Sequence, residues 1–349
     1  MSARAGHRPI AGAVATALLL AAPGNAGTDA LEPAWSETLQ IAQYNVQFVT
    51  PWSWGGVSRK HWPNTEARAR AIGQSLACFD IVALNETIND RRRAEIFDEM
   101  ERAGKDCGRS SRLANGRSFA VVAGPKPDRL NFGQIARFVT GDAALSLLDD
   151  EVALASRLPV IATDSMTYSV ARGSDALAAK GAIHARVWRG GSAPSTDALD
   201  LFVTHLQANH ADVREMQLDE LVAFIKQRSD PALPAILLGD LNIDGSLDAQ
   251  SDPRAEYHAM MRQLAALGFR DPGLALGGTD SWLRRRIDYI LVRSGQLHVA
   301  EMQTEQFNDL TVRALSDHAA LTADVTWRGA PSDATGSRGE GQLDTSQGE

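Results

Sequence analysis

Asp240 and Asn242 close the apolar run "AILLGDLNID" (235–244), and neither residue suits a strand interior. Other apolar runs end in the same manner. "IAQYNV" delivers Asn45, "DIVALNET" delivers Glu86 with Asn85 beside it, and "LDLFVTHLQA" delivers His205. "RRRIDYILV" carries Asp288, and "ALSDHAAL" places Asp317 and His318 ahead of a last apolar run. Singly, each reads as a strand-end cap, a turn former or a hydrogen-bonded histidine. With Asn85 set aside, six strand ends carry two amides, four acids and two histidines. Polar groups borne on loops of a rigid sheet scaffold are a common form of active site.

The residue types narrow the chemistry. Acids and amides are hard oxygen donors, suited to Mg²⁺ or Mn²⁺ rather than zinc. Such ions keep water and take phosphate oxygens as ligands, which points to phosphoryl transfer. No Ser or Cys sits in a nucleophile elbow, so water is the expected nucleophile. A histidine oriented by an acid is a fitting base near neutral pH. Strand side chains alternate, so Asp240 and Asn242 are expected on one face, reaching one phosphate together.

These groups need a scaffold, and the apolar pattern predicts about twelve strands and four helices. The expected strands are 39–46, 80–85, 119–122, 134–139, 151–155, 160–170, 182–187, 199–205, 235–239, 286–292, 297–303 and 320–326. The expected helices span 65–77, 90–103, 211–228 and 252–267. In the third, Val213, Met216, Leu221, Phe224 and Ile225 form one stripe, with acids and Arg214 largely elsewhere. The simplest arrangement is a mixed α/β domain of two packed sheets with helices outside. No Gly-rich strand-to-helix turn appears, which disfavours a Rossmann order.

In their order, "YNV", "ALNET", "ALASRLPV", "THLQA", "GDLN", "IDYIL" and "SDHAAL" resemble the endonuclease/exonuclease/phosphatase superfamily, which holds DNase I-like nucleases, inositol phosphatases and neutral sphingomyelinases. The resemblance spans about residues 38–326 and implies a four-layer DNase I-like sandwich, two mixed sheets flanked by helices. It implies Glu86 as metal ligand, with Asn45 beside it and Asp317 completing the metal environment. Asp240 would orient the water and Asn242 hold a phosphate oxygen. His318 would be base or transition-state contact, oriented by Asp288, and His205 would serve the leaving-group side. Asn85 departs from the pattern, since Gln usually precedes the metal-binding Glu. The Gly usually found ahead of "SRLPV" is also missing.

"THLQANHADVREMQLDELVAFI" and "AAKGAIHARV" are most similar to the sphingomyelinase branch, and the second puts Lys180 near the phosphate. A solvated lysine before a Gly turn is the plainer reading. The branch implies cleavage of a choline phospholipid at a membrane surface, sphingomyelin giving ceramide and phosphocholine. Trp52, Trp54 and Trp62 would assist there as exposed aromatics, or else pack under a loop. The long aromatic hairpin of the secreted toxins of this branch is not seen. A nuclease on the same fold is the first alternative, with Arg91–Arg93 and Arg284–Arg286 as its basic clusters. A binding module that lost catalysis is the second. The remaining histidines (61, 184, 210, 258 and 298) show no readable acid partner. No protein partner is implied, and a monomer is expected.

The bulk properties agree with this reading. The 349 residues carry a formal charge of −8, with 44% hydrophobic and 22% charged residues. Residues 1–26 have the layout of an export leader: Arg4 and Arg8, the apolar block "IAGAVATALLLAA", then small residues near Ala26. Removing them leaves 33 Lys and Arg against 43 Asp and Glu, hence −10. Such a chain has no global attraction for a phosphate backbone. An exported, periplasmic or secreted protein is expected, and Cys78 and Cys107 then suggest a disulfide. The expected layout is a leader at 1–26, a linker at 27–34, the catalytic domain at 35–327 and a disordered tail at 328–349.

Overall fold

The computed structural model describes residues 36–48, 62–107, 113, 117–125, 151–190, 197–280, 284–293 and 295–328. The leader, the linker, the tail beyond Arg328, the predicted strand at 134–139, His61, Trp52 and Trp54 lie outside them.

Among the described residues twelve strands build two sheets of six. The first contains β1 (Ser36–Asn45), β2 (Ile81–Asn85), β3 (Ala120–Gly124), β4 (Val152–Ser156), β11 (Leu297–Glu305) and β12 (Ala320–Arg328), in the order β11–β12–β1–β2–β4–β3. The second contains β5 (Val160–Thr167), β6 (Gly181–Trp188), β7 (Ala198–His205), β8 (Ala235–Asp240), β9 (Phe269–Arg270) and β10 (Asp288–Arg293), in the order β5–β6–β7–β8–β10–β9. Each sheet is mixed. Its parallel pair, β1 with β2 and β7 with β8, lies inside antiparallel neighbours. Parallel neighbours require a crossover. The helices α1 (Glu66–Leu76) and α3 (Ala211–Arg228) lie on those two connections.

Period-two patterning sorts each strand into two faces. Leu39 and Ile41 of β1, Ile81 and Ala83 of β2, Leu201 and Val203 of β7, Ile236 and Leu238 of β8, and Ile290 and Val292 of β10 join one core between the sheets. The alternate residues Ala42 and Tyr44 pack with Ile72 and Leu76 of α1 and with Ile96 and Met100 of α2 (Asp90–Ala103). On the other side Phe202, Leu237 and Leu291 meet Leu221 and Ile225 of α3. The result is the expected four layers, helix–sheet–sheet–helix.

Helix starts follow their caps: the Thr65 side chain accepts from Arg68 N, and Asn89 from Arg92 N. The helix predicted at 252–267 is shorter, and a second, unpredicted helix precedes it. Ser246 caps α4 (Leu247–Ser251), Pro253 interrupts, and α5 (Glu256–Ala265) begins after it. The short strand β9 had no readable signal, being two residues long. Arg328 pairs with Ser36 as the last residue of β12. Cys78 and Cys107 are joined as a disulfide, linking the end of α1 to the turn after α2.

Candidate active site

On the five inner strands the stripe that faces the opposite sheet turns polar at one end. Leu39 and Ile41 are followed by Gln43 and Asn45, Ile81 and Ala83 by Asn85, Leu201 and Val203 by His205, and Ile236 and Leu238 by Asp240; Asp288 precedes Ile290 and Val292. All six polar residues are buried. Strand pairing sets Asn45 beside Asn85, and Asp240 between His205 and Asp288. The polar ends of both sheets therefore meet at one rim. Gly239 makes this possible on β8, because a Cβ there would meet the Thr204 carbonyl oxygen at 2.1 Å.

Asp240 is the hub. Its Oδ2 accepts from Asn45 Nδ2 at 3.0 Å, and lies 3.6 Å from His205 Nε2 and 3.9 Å from His318 Nε2. Asn45 Nδ2 also donates to Glu86 Oε1 at 3.0 Å. His318 Nδ1 is 2.8 Å from Asp288 Oδ2, so Asp288 fixes the ring and leaves Nε2 toward Asp240. Asp317 stands one step out, accepting from Gln47 Nε2 at 2.7 Å, while the Gln47 backbone donates to Asn45 Oδ1 at 3.1 Å. Asp240 and Asn242 do cooperate, but not through strand alternation. β8 ends at Asp240, and Asn242 is left-handed at φ 52°, its backbone N–H donating to Asp240 Oδ1 at 2.9 Å. That bend brings Asn242 Nδ2 to 3.2 Å from His205 Nε2.

Lys180 is not the solvated lysine of the plainer reading. It is 3% exposed, and its Nζ lies 3.0 Å from His205 Nε2 and 3.0 Å from the Leu206 carbonyl. Glu151 and Asp175 neighbour it at 3.4 and 3.7 Å. Burial works against its charge, but Asp175 and Glu151 outweigh that and its pKa moves up. Against burial and Lys180, Glu151 and Asp240 pull the His205 pKa upward. Yet two donors, Lys180 and Asn242, converge on Nε2, and both are pinned by Leu206 O. His205 Nδ1 lies 3.0 Å from Glu151 Oε1.

The acids could together hold a cation. Burial raises the Glu86 carboxyl to about 7, with Asp317 adding to the rise. Burial and then Asp288 raise Asp240, and burial raises Asp317. Glu86 is half-buried and its side chain bonds one amide, so the donor set suits a hard divalent ion. Ligand atoms of Asp240, Asp288 and His318 also cluster within 4.8 Å. An ion there would have to displace the hydrogen bond between His318 and Asp288, so Glu86 with Asn45 is the better seat.

The structure thus brings together all nine residues singled out as site candidates. It adds Gln43, Gln47, Asn85 and Glu151. Period two marks Gln43 and Asn85 as inward-facing; Gln47, left-handed at φ 49°, had no signal. Of the other histidines, His184 has an acid partner, Asp200 Oδ1 at 2.9 Å. Apart from Arg284, which is exposed, the clustered arginines pair locally. Arg286 is buried against Asp271 at 2.6 Å, Arg285 is 3.4 Å from Asp280, Arg93 is 2.9 Å from Asp90, and Arg91 and Arg92 both pair with Glu95.

The model of the Endonuclease/Exonuclease/phosphatase family matches residues 42–318, from β1 to His318. The chain belongs to this family. Among curated endonuclease/exonuclease/phosphatase relatives, a sphingomyelinase of Dictyostelium discoideum is 22% identical over 275 residues, 68% of this chain and 54% of its own length. Sphingomyelinase C of Bacillus cereus is 25% identical over 250 residues, 66% of this chain and 64% of that protein. The chain therefore spans between about half and two thirds of these relatives. A beta toxin variant of Staphylococcus aureus, solved with bound magnesium ions, superposes with a TM-score of 0.55 at 17% identity, covering 82% of this chain and 99% of that one. The endonuclease/exonuclease/phosphatase fold is thereby seen from both sides, in sequence and in shape.

Proposed function

We propose that the chain is a divalent-metal-dependent phosphodiesterase that hydrolyses sphingomyelin to ceramide and phosphocholine by in-line attack of water. One observation carries this reading: the Asp288–His318 pair, which bridges the two sheets, and the Glu86–Asn45 pair of the first sheet converge on Asp240. The sphingomyelinase names of the two curated relatives and the magnesium of the beta toxin support the substrate and the ion.

Glu86 and Asn45 would hold the ion, with Asp317 nearby; when bound, it would neutralise phosphate charge and polarise the phosphoryl group. Asp240 orients the water and accepts its proton together with His318, whose Nε2 faces it at 3.9 Å. Asp288 stabilises the imidazolium that forms. On the leaving side, Asn242 and Lys180 bind phosphate oxygen, and a proton from Lys180 or His205 goes to the ceramide alkoxide as its bond to phosphorus breaks. Lys180 leaving His205 Nε2 for the phosphate would free that nitrogen to take up a proton.

The local pairing of every clustered arginine except Arg284 and the net charge of −8 speak against a nucleic-acid groove. Export by the leader at 1–26, and action as a monomer, complete the proposal. The test is a rate panel on sphingomyelin, phosphatidylcholine, plasmid DNA and an inositol phosphate, with His318→Ala as blank and EDTA followed by Mg²⁺ as control. Turnover of sphingomyelin that stops with EDTA and returns with Mg²⁺ is expected. Inert choline phospholipids would end the substrate assignment, and salt-sensitive plasmid nicking would move it to a nuclease.

A further inference from the structure

Two amides take no part in the chemistry above, yet lie between its acids. Gln43 and Asn85 are wholly buried, on the stripes of β1 and β2 that face the second sheet. An apolar side chain at position 43 would simply continue the core of Leu39 and Ile41. Instead Gln43 Nε2 donates to Asn85 Oδ1 at 2.5 Å and to Asp288 Oδ1 at 3.3 Å. Asn85 Oδ1 also accepts from the Asp240 backbone N–H at 2.9 Å, and Asn85 Nδ2 donates to the Thr204 carbonyl at 2.9 Å. The pair ties β1 and β2 of one sheet to β7, β8 and β10 of the other.

Their partners allow each amide one orientation. Turning Gln43 over would set its oxygen against two acceptors, Asp288 Oδ1 and Asn85 Oδ1. Turning Asn85 over would set its NH₂ against the Asp240 N–H. Asp288 uses Oδ2 for His318 Nδ1, and among the described residues Gln43 is the side-chain donor that reaches Oδ1. Strand pairing sets Asp288 directly opposite Asp240, so two carboxylates face one another on adjacent strands. Gln43 draws one Asp288 oxygen toward the first sheet. It does so while its own Oε1 stays buried without a partner, a cost that an apolar residue of equal volume would avoid.

We propose that Gln43 is a positioning residue: through Asp288 it sets where His318 points, and Asn85 anchors it to the strand that carries Asp240. This rests on the phosphodiesterase reading and deepens it. Gln43→Met keeps the length and loses the donor. With sphingomyelin as substrate, kcat falls about tenfold or more while KM stays within about twofold, and the melting temperature holds or rises. Gln43→Glu, which sets an oxygen against Asp288, falls further. Ile41→Ala, a core change on the same stripe, lowers the melting temperature and leaves kcat alone.

An activity-independent readout separates failure of this inference from failure of the reading beneath it. The His318 Nδ1–H resonance, identified by its loss in His318→Ala, shifts or broadens in Gln43→Met and not in Ile41→Ala. That comparison stands even if the wild-type chain hydrolyses no phosphodiester. An unchanged kcat in folded Gln43→Met, or an unmoved His318 resonance, would overturn the proposal. So would a Gln43→Met chain that fails to fold, because the amide would then be structural.

Discussion

Replacing Asp288 by Asn tests the proposed mechanism at its narrowest point. Asp288 offers two oxygens, and both are used: Oδ2 by His318 Nδ1 at 2.8 Å and Oδ1 by Gln43 Nε2 at 3.3 Å. Asn offers one oxygen and one NH₂, so one of the two donors must face a donor. If the ring yields, His318 takes the other tautomer and presents a protonated Nε2 toward Asp240. Losing a buried bond to a charged acceptor costs about 1.5–3 kcal/mol, and a misplaced acid–base group forfeits about 10²–10⁴ in rate. The expected fall in kcat is about 10³, or roughly 4 kcal/mol on the barrier. KM should hardly move, because Asp288 touches no substrate. The melting temperature should fall by less than the lost bond alone implies, because one charge leaves a site that already crowds Asp240. Initial rates and thermal melts on the same preparation decide it. A folded Asp288→Asn chain whose kcat stays within about tenfold of wild type would show that Asp288 does not control His318.

Three further outcomes follow from the same geometry. Without an ion, folded Glu86 keeps its proton up to about pH 7 whereas the unfolded carboxyl releases it near 4.5, so the native state binds more protons in between and loses stability as pH rises through that window. Mg²⁺ should therefore raise the melting temperature more at pH 8 than at pH 5, and equal increments would contradict the assignment. Lys180→Met strands Glu151 and Asp175 without their cation and should cost about 3–5 kcal/mol of stability by denaturant titration; a solvated lysine would cost almost nothing. Removing the Cys78–Cys107 bridge, which closes a separation of 29 residues, should cost about 3–4 kcal/mol while specific activity at room temperature is kept.

The scaffold was legible wherever a segment buried a face. Period two identified the inner strands and the 3.6-residue stripe identified α3, because both report burial directly. Legibility failed where the determinant is not periodic. The predicted fourth helix begins only beyond Pro253 as α5, α4 ahead of it is a single short turn, and β9 is too short to carry a pattern. In the site, the acids and histidines stood out because they interrupt apolar runs at strand ends. Asn242 was grouped with Asp240 for the wrong reason, since a left-handed backbone, not alternation, returns it to the acid. Gln47 and Glu151 depend on where loops cross, which no local spacing records. Gln43 was visible in principle as an inward amide between Ile41 and Asn45, but its meaning requires Asp288, 245 residues away.

The position of β12 has a consequence for how this catalyst comes into being. Among the described residues the last strand is not added at an edge: β12 pairs with β1 on one side and β11 on the other, and the segment just before it supplies His318. Until β12 inserts, β1 lacks one neighbour and the imidazole is absent from the rim. Closing the first sheet and bringing the imidazole to the rim are thus one folding event, and a chain that has not seated β12 between β1 and β11 lacks both.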